Sequence, residues 1–257
     1  MKNLICAGCS WTYGVELPGD EPYKKAWPAH LGKLLDMPVI NLGENSCSNE
    51  QIVNNFLLYA SQNKIEPGSI AIMATTQFNR KMGWLTDSQN KISEPWRSPH
   101  ELIHMGRYWI SLHTSDGKHP NMLPAWEAYV KEEHCETEMI SRNLMHVAQF
   151  QLACKALGIK HYVKPAWCHP PKLMKGLIQQ EILNIDNLID WETVGTYPMI
   201  NYIVNEVGEE KIWEDEIFDA IGVHREFDLS NYLHDLGHPT EEGHKLIAER
   251  LYKWIKE

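Results

Sequence analysis

Two hydrophobic rhythms alternate along this chain. Short, continuous apolar runs read as buried strands, and longer stretches with apolar residues every third or fourth position read as amphipathic helices. Residues 2–7 (Lys-Asn-Leu-Ile-Cys-Ala) predict a first strand, broken by Gly8-Cys9-Ser10. A helix is expected from Ala26 to Leu35, with Trp27, Leu31, Leu34 and Leu35 at helical spacing. Val39 to Leu42 predicts a second strand ending at Gly43. Asn49 to Gln62 predicts a helix whose inner face carries Ile52, Val53, Phe56, Leu57 and Ala60. Ser69 to Ala74 reads as a third strand. Thr137 to Leu157 reads as a long helix with Ile140, Leu144, Val147, Ala148, Gln151 and Leu152 on its inner positions and Gly158 as its stop. Ile159 to Val163 gives a fourth strand. The final helix runs from about Thr240 to Ile255, with Thr240 as N-cap and Glu241-Glu242 in its first turn.

Strand and helix in alternation predict a parallel sheet covered by helices. Two segments break the alternation, approximately 80–136 and 167–232. The first carries Trp84, Trp96, Trp109 and Trp126; the second carries Trp167, Trp191 and Trp213. We read residues 1–257 as one domain with these two insertions, each either a lid or binding wall, or a structural elaboration or oligomer contact. There is no internal repeat and no low-complexity tract.

Composition narrows the class. The 257 residues are 43% hydrophobic, enough for a core, and carry a formal charge of −10. That charge argues against nucleic acid as the main partner, since phosphate recognition needs a basic face. No apolar stretch approaches the roughly 20 residues needed to span a bilayer. The first apolar run is too short for a signal-peptide core, so a cytoplasmic location is expected, in a bacterial cell or in a phage-infected one. The six cysteines read as reduced thiols, and the single Cys6-x-x-Cys9 as ordinary strand and turn residues.

Ligands of parallel sheets bind at the carboxyl ends of the strands, and the chemistry-bearing residues fall there. Ser10, Gly43 and Thr75–Gln77 each follow a predicted strand. A serine hydroxyl becomes a nucleophile only beside a base, and that base needs an orienting acceptor. His238, just before the last helix, is the candidate base. Asp235, three residues earlier, is the candidate acceptor, with a turn at Gly237 presenting both. Oxyanion donors would be the N–H groups of Ser10 and Gly43, with a side-chain amide from Gln77 or Asn79.

These blocks resemble those of the SGNH (GDSL-type) hydrolases. Gly8-Cys9-Ser10-Trp11-Thr12-Tyr13-Gly14 is similar to the family's first block, with Cys9 in place of its usual Asp. Asn41-Leu42-Gly43-Glu44-Asn45-Ser46-Cys47-Ser48 is similar to the second, with Ser46 where another glycine often stands. Asp235-Leu236-Gly237-His238-Pro239, followed by Gly243-His244, resembles the last, Asp-x-x-His-Pro. The third block, Gly-x-Asn-Asp, has no counterpart: Ala74-Thr75-Thr76-Gln77-Phe78-Asn79 stands in its place, Gln77 nearest to the asparagine position and Asn79 the substitute. The resemblance covers the core strands and final helix, about half the chain. It implies a three-layer α/β/α fold with a parallel sheet (flavodoxin-like), here with helical insertions. It implies ester hydrolysis through an acyl-Ser10 intermediate, with Asp235 and His238 as acid and base, Gly43 at the oxyanion and no cofactor. The expected substrate is a small or carbohydrate-borne acyl ester; no nucleic-acid or membrane partner is expected, and a homo-oligomer is open. Two alternatives stand beside it. One is an inactive scaffold with a binding or structural role; the other is a metal-dependent hydrolase using His234, His238 and His244, whose spacing matches no recognised metal motif.

Overall fold

The computed structural model describes residues 1–45, 47–76, 80–85, 108–113, 136–166, 188–207, 229–234 and 237–257. In chain order the described elements are β1 (Leu4–Gly8), α1 (Ser10–Tyr13), α2 (Trp27–Leu35), β2 (Val39–Gly43), α3 (Asn49–Gln62), β3 (Ile70–Thr75), β4 (Arg80–Leu85), β5 (Tyr108–His113), α4 (Glu136–Ala156), β6 (Lys160–Pro165), α5 (Met199–Val207) and α6 (Glu241–Lys256).

The expected parallel sheet is present, ordered β2-β1-β3-β6. β1 lies between β2 and β3, with Gly8 level with Gly43 on one side and with Ala74 on the other. Every residue of β1 is buried, as befits a strand with helices on both faces. α2 packs on α6, and α3 packs on α4, so the sheet lies between two helical layers. The class is therefore three-layer α/β with a parallel sheet.

The helix boundaries follow local chemistry. Ser48 caps α3 by accepting the Gln51 N–H, and Thr240 caps α6 by accepting the Gly243 N–H. The predicted inner faces are mostly right, with three corrections. Leu34, Leu57 and Leu152 are exposed at 44%, 39% and 48%, because each lies just outside the stripe its helix turns to the sheet. On α4, Phe150 and Cys154 are buried instead. Gln151 is buried because its amide is satisfied: it bonds the Asp190 carbonyl, the Asp190 N–H and the Thr193 hydroxyl.

The insertions are not uniformly helical. In the first, β4 and β5 pair antiparallel, Arg80 opposite His113 and Leu85 opposite Tyr108. In the second, Val194 forms a parallel bridge to Val163 of β6, and α5 follows. The remainder of both insertions lies outside the described residues. Cys6, Cys9, Cys47 and Cys154 are buried thiols, none of them in a disulfide. Burial pushes the Cys6 thiol up and that of Cys154 up to about 12, so neither is a thiolate near neutral pH. No described helix is long and apolar enough to cross a membrane.

Candidate active site

The carboxyl ends of β2, β1 and β3 lie side by side, and Ser10 and Gly43 lie there. β1 ends at Gly8, and Ser10 opens the single-turn helix α1. The Gly14 and Val15 N–H groups both return to the Ser10 carbonyl, at 2.9 and 3.1 Å, so the chain closes tightly behind the serine. Ser10 is buried, with 5% of its surface exposed.

Gly43 lies against this turn. A Cβ there would sit 2.5 Å from the Tyr13 nitrogen and 2.7 Å from the Thr12 carbonyl carbon. Glycine thus lets β2 run directly against the backbone that carries Ser10. Asn41 fastens the same contact: its Nδ2 donates to the Thr12 carbonyl at 2.7 Å, and its Oδ1 accepts the Gly43 N–H at 2.8 Å. The N–H expected to face an oxyanion is therefore engaged by Asn41. Gly43→Ala is expected to lose about 1–3 kcal/mol of stability, because the atoms in the way are backbone. Urea denaturation would read it as a lowered midpoint; an unchanged midpoint would mean that the close approach does not matter.

At the end of β3, Asn49 holds the chain. Its Oδ1 accepts the Thr76 N–H at 2.8 Å, and its Nδ2 donates to the Thr76 carbonyl and to Asn143 Oδ1. This anchors the residue that leads into Gln77. Gln77 and Asn79, the candidate amide donors, lie outside the described residues.

Glu44 is also buried here, accepting from the Gln51 and Asn55 amides at 2.8 and 2.9 Å. Neither Asn49 nor Glu44 was singled out from the sequence. Ser48-x-x-Gln51 has the spacing of a capping box, a signal for the start of α3 that carries no sign of this cluster.

The third contributor is the loop before α6. The predicted turn at Gly237 is present, with φ +80. The His234 N–H donates to the His238 carbonyl and the Gly237 N–H to the His234 carbonyl, both at 2.8 Å. Leu233 and Pro239 form an antiparallel bridge. The result is a closed loop that presents His238, whose Nδ1 lies 2.8 Å from Glu16 Oε2. Asp235 lies outside the described residues.

His244 is neither exposed nor available as a metal ligand. It is fully buried, and its Nδ1 accepts the Trp27 N–H at 3.1 Å. With Nδ1 accepting, the neutral ring carries its proton on Nε2, so no lone pair remains for a metal. Burial, reinforced by the neighbouring His30, His238 and His234, lowers its pKa to about 3. Among the described residues, no group of three or more His, Cys, Asp or Glu side chains is arranged to hold a metal ion.

The features together define a parallel α/β protein with a serine behind its first strand and a histidine on a closed loop before its last helix. Comparison with solved structures gives whole-chain similarity at low identity. One is a protein from Desulfitobacterium hafniense DCB-2 described as lipolytic and of the G-D-S-L family: 13% identity, 99% of each chain covered, TM-score 0.48. Another is TesA: 11% identity, covering 99% of this chain and 98% of that one, TM-score 0.47. No protein-family model matches the chain, and no curated protein matches it.

Proposed function

We propose that the protein is a serine hydrolase of acyl esters, with Ser10 as nucleophile and His238 as general base and then general acid. The observation that carries this reading is the seating of His238 against Glu16, on the turn that leads out of the Ser10 helix. A carboxylate on one ring nitrogen leaves the other as the basic one, which is what serine activation needs. Acylation would bind the acyl carbon to the Ser10 oxygen as the Ser10 proton passes to His238 and on to the leaving alcohol. Water, deprotonated by His238, would then release the acid. The Ser10 N–H is the proposed oxyanion donor from the backbone, joined by the side-chain amide of Gln77 or Asn79. Gly43 would contribute its N–H only by releasing Asn41. A serine that is 5% exposed suits a small or carbohydrate-borne acyl group.

A fluorophosphonate probe tests the reading. Wild type is expected to label once, at Ser10, and Ser10→Ala to lose all labelling. Equal labelling of Ser10→Ala would reject Ser10 as nucleophile. A wild type that does not label would favour the inactive-scaffold reading, to which the engaged Gly43 amide already points.

A further inference from the structure

We propose that Glu16 is the carboxylate that positions His238, accepting from Nδ1 so that Nε2 is left as the basic nitrogen that would serve Ser10. The proposal rests on the reading of Ser10 and His238 above. Asp-x-x-His marks Asp235 as that carboxylate by sequence, but the described geometry provides Glu16, 222 residues away along the chain.

Several observations bear on it. Glu16 Oε2 and His238 Nδ1 are 2.8 Å apart, the length of a charge-assisted hydrogen bond. The bond lies at the protein surface, with 24% and 20% of the two side chains exposed. A carboxylate can only accept, so the proton of this bond must be on Nδ1. In the neutral ring, Nε2 then carries the lone pair.

The backbone points the same way. Glu16 has φ +70, in the left-handed region that a residue with a long side chain rarely occupies. Asp36, the other described non-glycine residue with positive φ, ends helix α2, where that conformation is usual. Glu16 ends no helix, since Gly14 already closes α1. Such a conformation persists where surroundings dictate it, and such residues cluster at functional sites. It places the Glu16 side chain on His238. Because Val15 and Gly14 are bonded to the Ser10 carbonyl, the pair links the segment carrying the nucleophile to the loop carrying the base.

Histidine NMR tests this without requiring turnover. The nitrogen shifts of wild-type His238 are expected to show the Nδ1-protonated tautomer; the Nε2-protonated tautomer would overturn the proposal. Glu16→Gln keeps the shape and removes the charge. It is expected to lower the His238 titration midpoint by about one pH unit, and Asp235→Asn to move it less. Among the described residues, the His244 imidazole also interacts electrostatically with His238, and it is unchanged in both variants. On p-nitrophenyl acetate, Glu16→Gln should lower kcat by about 100-fold or more with KM nearly constant, and the acid limb of the rate profile should follow the His238 midpoint. An unmoved midpoint in Glu16→Gln, or a larger shift in Asp235→Asn, would assign the role to Asp235. If Ser10 proves unreactive while the midpoint still shifts, the esterase reading fails and the Glu16–His238 pair stands.

Discussion

His238→Ala is expected to lower kcat on p-nitrophenyl acetate by about 10,000-fold or more. The size of the effect follows from what the imidazole does. At neutral pH the Ser10 hydroxyl is almost wholly protonated, and attack on the ester carbonyl must be accompanied by loss of that proton. Without His238 only water is left to take it. The second half-reaction fails as well, because the same ring must deprotonate the water that releases the acid. KM should change little, since the ring is there to move a proton rather than to hold the ester. Loss of fold is not expected to confuse the result. The loop that carries His238 is closed by backbone bonds, His234 N–H to the His238 carbonyl and Thr240 N–H to the Tyr232 carbonyl, and none of these needs the ring. The variant should therefore melt within a few degrees of wild type, a loss of about 1 kcal/mol. A kcat within tenfold of wild type, in a variant that remains folded, would remove His238 from the reaction.

The sequence signals that succeeded were the local ones. Thr240 followed by two glutamates marks the start of α6 because an N-cap acts within one turn. The apolar runs at Leu4–Ala7 and Ile70–Ala74 mark central strands because both faces are buried. What escaped is non-local or stands against the ordinary preference of a residue. The Glu16–His238 contact joins opposite ends of the chain, and glutamate carries no sequence sign of a left-handed backbone. The Asn41–Gly43 contact was within reach, since an asparagine bonding the N–H two residues on is a known turn habit. Hydrophobic periodicity locates the centre of a helix face but not its width, which is why Leu34, Leu57 and Leu152 were placed inward. In the first insertion, the β4–β5 pairing has no counterpart in a pattern that shows no clear period. His244 could be assigned to a packed or an exposed side of α6, but not to the role it plays, because the group it serves is Trp27, 217 residues away.

That role leads to the second large effect, on stability rather than turnover. Ala26, the N-cap of α2, makes no side-chain hydrogen bond to the helix. The open Trp27 N–H is instead taken by His244 from α6, which ties together the two helices of that layer. The bond exists only while the ring is neutral, because a charged imidazole has no acceptor. Folded, the ring has a pKa of about 3 against an ordinary value of 6.5. Below pH 6.5 the unfolded chain therefore binds a proton that the folded chain refuses, and stability falls as pH falls, over the window from 6.5 to about 3. At about 1.4 kcal/mol per pH unit, the loss between pH 7.5 and 4.5 is about 2–3 kcal/mol from this residue alone. Burial also lowers the pKa values of His30, His146 and His161, so their contributions have the same sign. His244→Asn separates the residue from this background. The asparagine oxygen can still accept from Trp27 but does not titrate, so the variant gives up some packing at pH 7.5 and keeps the contribution of the other histidines. Urea unfolding at pH 7.5 and 4.5 should show wild type losing about 2–3 kcal/mol more than His244→Asn over that interval. Parallel losses in the two proteins would mean that His244 is not the buried neutral group that joins α6 to α2.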